Sequence, residues 1–178
     1  GKMFAVEHYG VEPDIMTTAK GIADGFPLAA FTARPDVGDA FTPGDHLSTF
    51  GGNPVSCAAA MANIEVMKDE KLPEKSAERG EQVMGGLRKL QKKYPLIGDV
   101  RGKGLMIGLE LVKDANKTAA AAEAKAVRVA CRENGVLVGL GGNLANVIRI
   151  QPPLTITADE CERVVATIEK ALKSVKAS

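Results

Sequence analysis

Three places in the chain carry residues whose types and surroundings could do chemistry. Lys20 ends the stretch PDIMTTAKG, and no other lysine or arginine occurs between Lys2 and Arg34. Most lysines are solvated charges on a helix face. Among Thr17, Thr18, Ala19 and Gly21, partial desolvation would favour the neutral amine that a Schiff-base nucleophile requires. Ser48 and Thr49 precede Gly51-Gly52. Two hydroxyls beside backbone N–H groups that no side chain obstructs suit a phosphate, and they equally suit a plain hydroxyl turn ahead of a helix. Arg149 lies within VIRIQPPL, a charge inside an apolar strand. A guanidinium buried there needs an anionic partner, in the protein or in a ligand.

The elements that must position these residues can be read from punctuation and period. Residues 28–33 (LAAFTA) read as a short apolar strand, and Pro35 suits the first turn of a short helix. Asn53-Pro54 starts a helix over 54–69, with Asn as cap and Pro at the first helical position. Its many alanines would let another element approach closely. A second helix, 73–93, is marked by Met84, Leu87, Leu90 and Tyr94 at spacings of three and four. Gly85-Gly86 weighs against it by about 1 kcal/mol per glycine. From Gly98 the pattern turns to strand, with 105–112 (LMIGLELV) apolar enough to be buried on both faces. A helix over 119–134 ends at Gly135, and two strands follow at 136–140 and 147–151. Thr157-Ala158-Asp159-Glu160 is a capping box that opens a last helix.

The division that follows is α/β: residues 1–53 as one part, 54–94 as connecting helices, and 95–178 as a small α/β domain. Gly102-Lys103-Gly104 precedes a strand and Gly139-Leu140-Gly141-Gly142 lies between strands. A dinucleotide fingerprint instead follows a strand and opens a helix, so both read as turns.

Composition removes several classes of function. The 178 residues hold 23 Lys and Arg against 22 Asp and Glu, and 45% are hydrophobic. A near-neutral chain without a basic block gives no electrostatic case for nucleic acid or a membrane surface. Aromatics at 4% with no Trp offer no stacking platform. No run approaches the roughly 20 apolar residues of a membrane helix. Two histidines and three separated cysteines, Cys57, Cys131 and Cys161, make neither a zinc site nor a disulfide framework. No metal is expected, and the compartment is expected to be reducing, cytoplasm or mitochondrial matrix.

Taken in order, four motifs carry a resemblance. PDIMTTAKGIADGFPLAA, HLSTFGGNPVSCAAA, DVRGKGLMIGLEL and VIRIQPPLTIT resemble the class III pyridoxal-phosphate aminotransferases, which have the fold type I architecture. The resemblance runs from about Met3 to Leu172. It implies pyridoxal 5'-phosphate as cofactor, held as a Schiff base by Lys20. It implies that Thr49, with Ser48 beside it, contacts the cofactor phosphate, Thr49 reaching across to the other subunit of a homodimer. It implies that Arg149 pairs with the substrate carboxylate, and that substrates are amino acids and 2-oxo acids. VRGKGLMIGLEL with HLSTFGGNP is most similar to the alanine–glyoxylate and ω-amino-acid group.

Members of this family are more than twice as long. The chain begins Gly1-Lys2-Met3-Phe4, as a segment from within a longer protein would. It is therefore expected to be the C-terminal portion: the tail of the large-domain sheet plus the small domain, inactive alone. The alternatives are a racemase, an aminomutase or a decarboxylating transaminase using the same lysine. From a different class, the chain could be a truncated, non-catalytic dimerisation module.

Overall fold

The computed structural model describes residues 1–175. They gather into two compact units, Lys2–Leu72 and Pro73 onward with Gly1.

In the first unit, strands β1 (Ile15–Ala19) and β2 (Ala29–Ala33) pair antiparallel, with Thr17 opposite Phe31 and Ala19 opposite Ala29. A 3₁₀ turn, Lys20–Ala23, follows β1, and the single-turn helix α1 (Pro35–Gly38) follows β2. The expected strand over 28–33 is present as β2, whereas β1 was not expected. Its Thr17-Thr18 pair breaks the alternation that marks a strand, and pairing with β2 supplies what the local pattern lacks. Helix α2 (Pro54–Asp69) starts as its sequence dictates. Asn53 Oδ1 accepts from the Ser56 N–H at 2.9 Å, and Pro54 fills the first turn.

The second unit is built on a four-stranded antiparallel sheet in the order β3-β4-β6-β5. Strands β3 (Ile97–Lys103) and β4 (Met106–Leu111) form a hairpin, with Lys103 opposite Met106 and the turn at Gly104, φ +52°. Strand β5 (Gly139–Gly141) and strand β6 (Val147–Ile150) complete the sheet. Helices α3 (Leu72–Gln91), α4 (Ala121–Glu133) and α5 (Ala158–Ser174) supply the other half of the core. Val83 and Leu87 of α3, Leu109 of β4, Val127 of α4, Ile148 of β6 and Ile168 of α5 are all fully buried there. Thr157 and Glu160 form the expected capping box, each side chain bonded to the other's backbone N–H at 3.2 and 2.8 Å.

Two expectations are corrected here. The apolar run 105–112 is not buried on both faces. Ile107, Leu109 and Leu111 face the core, while Met106 is exposed and Gly108 and Glu110 lie with it on the other side. All three helices contribute to one core, so an antiparallel sheet needs only one apolar face. The strand expected over 136–140 is instead the short β5, which pairs with β6 through Gly139 opposite Arg149.

Glu169 of α5 fastens the segment after α3. It accepts from Lys93 Nζ at 2.5 Å and from Tyr94 OH at 3.0 Å. These bonds, the Lys93 one foremost, hold its carboxyl down at about 2, well below the ordinary 4.5.

Candidate active site

Strand β1 delivers Lys20 to a hollow of about 800 Å³ within the first unit. Thr17, Thr18, Phe31, His46, Ser48 and Gly51 are among the residues lining it. Lys20 has φ +54°, the left-handed region that lysine rarely adopts, at a cost of order 1–3 kcal/mol. That conformation turns the chain from β1 into the 3₁₀ turn. The turn is fastened from outside, because Asn63 of α2 donates its side-chain amide to Gly21 O at 2.9 Å and Ile22 O at 3.1 Å.

Ser48 Oγ accepts from the Gly51 N–H at 2.9 Å, so Ser48 makes the hydroxyl turn ahead of α2. Thr49 is exposed beside it and is not part of the lining. Phe31 stacks on Phe41, ring centroids 5.4 Å apart, and meets His46 edge-on at 6.4 Å. The lining holds Lys20, His46 and the Ser48 hydroxyl, and no aspartate or glutamate. A primary amine in an acid-free hollow with a hydroxyl and glycine backbone at its rim fits an anionic aldehyde such as pyridoxal phosphate. His46 and Asn63 escaped the sequence reading. Neither sits in a pattern that announces a contact, since each meets its partner only through the fold.

The desolvation expected around Lys20 is not supplied by this chain. Lys20 is exposed, because a two-stranded hairpin has no layer over its open side.

Arg149 lies in the second unit. It too is exposed rather than buried, since Ile148 and Ile150 on either side of it take the core face and leave Arg149 on the other. Among the described residues no carboxylate pairs with it. The neighbouring Arg101 differs, being held by Asp99 at 2.7 Å and Glu110 at 2.6 Å, bonds that raise its pKa further. The cysteines offer no nucleophile in the core, where burial pushes the Cys131 thiol up to about 11 and raises Cys161. Among the described residues no group of three or more His, Cys, Asp or Glu could hold a metal. No helix among them is long and apolar enough to cross a membrane.

The family model for class III aminotransferases matches residues 1–172. The chain belongs to the class III aminotransferases. Among its relatives, the 5-aminovalerate aminotransferase DavT of Pseudomonas putida is 43% identical over 98% of this chain and 41% of its own. The leucine/methionine racemase of Thermococcus litoralis is 44% identical over 99% of this chain and 40% of its own. An amine transaminase from an uncultivated Pseudomonas species, solved in its PLP-bound form, superposes with a TM-score of 0.89 at 35% identity. That match covers 98% of this chain and 41% of the other. The α/β architecture is thus that of the fold type I enzymes, and this class III chain spans about two fifths of the length of the relatives it matches.

Proposed function

We propose that this chain carries the lysine-bearing part of a PLP-dependent transaminase, which moves an amino group from an amino acid or ω-amino acid to a 2-oxo acid. One observation carries the reading: Lys20 stands in a rare backbone conformation on an acid-free hollow shared with Ser48. Pyridoxal phosphate, when bound, supplies the aldehyde and the electron sink. Lys20 Nζ would hold that aldehyde covalently. Once displaced by the substrate amine, the same nitrogen would take the proton from the substrate carbon that bears the amine and, for amino transfer, would deliver it to the carbon that had carried the cofactor aldehyde. The hydroxyls of Ser48 and Thr49 would face the phosphate, Thr49 serving the partner subunit of a homodimer. Arg149 would orient the substrate carboxylate through its two-pronged guanidinium.

A second reading has specific support. The racemase relative is as similar as the aminotransferases, and racemisation would use the same Lys20 to take the proton, with a proton then returned to the opposite face of that carbon. The similarity to DavT, a 5-aminovalerate aminotransferase, supports an ω-amino acid as donor. The full-length enzyme that contains this chain should be mixed with pyridoxal phosphate, reduced with borohydride and digested. The cofactor should be fixed on the peptide carrying Lys20, and Lys20→Ala should lose both the label and turnover while still folding. Label on another lysine, or more than about a percent of turnover in Lys20→Ala, sinks the assignment. Assay of amino transfer against loss of optical activity then separates transaminase from racemase.

A further inference from the structure

Arg149 belongs to a row of four direct cross-strand neighbours. Arg101 of β3 stands opposite Gly108 of β4, Gly108 opposite Arg149 of β6, and Arg149 opposite Gly139 of β5. Direct partners project on the same face of a sheet, here the face turned away from the core. The two arginines of the row are in opposite conditions. Arg101 is closed off by Asp99 and Glu110, whereas among the described residues no carboxylate pairs with Arg149.

The Arg149 side chain instead lies over β5. A Cβ added at Gly141 would stand 2.9 Å from Arg149 Cδ and 3.1 Å from Nε. One added at Gly139 would stand 3.2 Å from Nε and 3.4 Å from Nη2. Neither glycine has a positive φ, so the backbone would accept alanine at both places. At Gly141 a Cβ would force the arginine to move, and at Gly139 it would make the arginine give by a few tenths of an ångström. The group that would give way is a flexible side chain, not the sheet. Displaced from β5, it would turn toward β4, where Glu110 stands opposite Val147 and is therefore the diagonal neighbour of Arg149. Diagonal pairs lie within reach of long side chains.

We propose that Gly139 and Gly141 are positioning residues, which keep the Arg149 guanidinium over β5, open to a carboxylate ligand and away from Glu110. This rests on the reading of Arg149 as the receiver of the substrate carboxylate. The row contains its own control, because a Cβ at Gly108 would meet Val147 Cγ1 at 3.3 Å and Arg101 Cγ at 3.8 Å, and not Arg149.

The test compares Gly139→Ala, Gly141→Ala, Gly108→Ala and Arg149→Ala in the full-length holoenzyme, with an amino acid and with an amine lacking a carboxylate. Gly139→Ala and Gly141→Ala should raise KM for the amino acid about tenfold or more, as small misplacements of an orienting group do. With the carboxylate-free amine their kinetics should stay within about twofold of the parent, and Gly108→Ala should leave both substrates unchanged. Should Gly141→Ala fail to fold, Gly139→Ala, with its looser contacts, carries the test. An unchanged amino-acid KM in both β5 variants, while Arg149→Ala raises it, overturns the proposal and spares the reading beneath it. An unchanged KM in Arg149→Ala overturns both. Equal losses on the two substrates would show a structural role only, and would also overturn it.

Discussion

Asn63 gives one amide group to two carbonyls, Gly21 and Ile22, so the turn that begins at Lys20 is tied to α2 rather than to its own strand. A hydrogen bond of this kind contributes about 0.5–1.5 kcal/mol. Asn63→Ala should therefore loosen the turn without unfolding the enzyme. Borohydride-fixed cofactor in the full-length protein should form about three- to tenfold more slowly, against none in Lys20→Ala. A rate equal to the parent's would show that the turn holds Lys20 unaided. At this scale the sequence displays chemistry but not environment. Lys20 and Ser48 were visible because an isolated amine and a hydroxyl before paired glycines are local features. The exposure of Lys20 was not, because it depends on what covers a hairpin. Arg149 is instructive for a different reason: Ile148 and Ile150 alternate around it, and a period of two already places the residue between them on the opposite face.

Among the elements, those with chemical start signals were the most legible. Helix α2 begins at Asn53-Pro54 and α5 at the Thr157–Glu160 box, as their side chains require. Strand β1 has no such signal and is defined by its partner. Helix α3 shows the converse, a glycine pair that argues against a helix and yet sits inside one. The two glycines are not equivalent. A Cβ at Gly86 would stand 2.9 Å from both methyls of Val165, so Gly86 is where α5 packs against α3. A Cβ at Gly85 would meet nothing within 4 Å. Helix propensity alone favours alanine by roughly 1 kcal/mol at either position. Gly85→Ala should therefore stabilise the protein by about 0.5–1 kcal/mol. Gly86→Ala should destabilise it by about 1–3 kcal/mol, since overpacking outweighs the propensity gain. Denaturant titration of both variants checks the pair, and shifts of the same sign would refute the packing account of Gly86.

On the scale of the whole molecule, burial is divided unevenly. Between Lys2 and Leu72 the buried side chains are Ala23, Ser56, Ala60 and Leu72, whereas the core cluster is drawn entirely from Val83 onward. The first unit leaves Leu47 and Phe50 more than 80% exposed, with Phe26, Phe31 and Phe41 half exposed. Large apolar side chains left this exposed are expected to be covered in the full-length enzyme, and an isolated two-stranded hairpin is marginal in water. The second unit has caps, a four-stranded sheet and its own core. Lys20 thus stands on the part of the chain that holds itself together least. In the isolated 178-residue chain, amide hydrogen exchange should therefore be slow in β4, β6 and α5. It should be fast in β1, β2 and the turn Lys20–Ala23. In the full-length enzyme the same β1 amides should become protected, and cofactor should bind tightly only there. Uniform protection of residues 2–72 in the isolated chain, or tight pyridoxal-phosphate binding by it, would mean that this hairpin forms a finished site on its own.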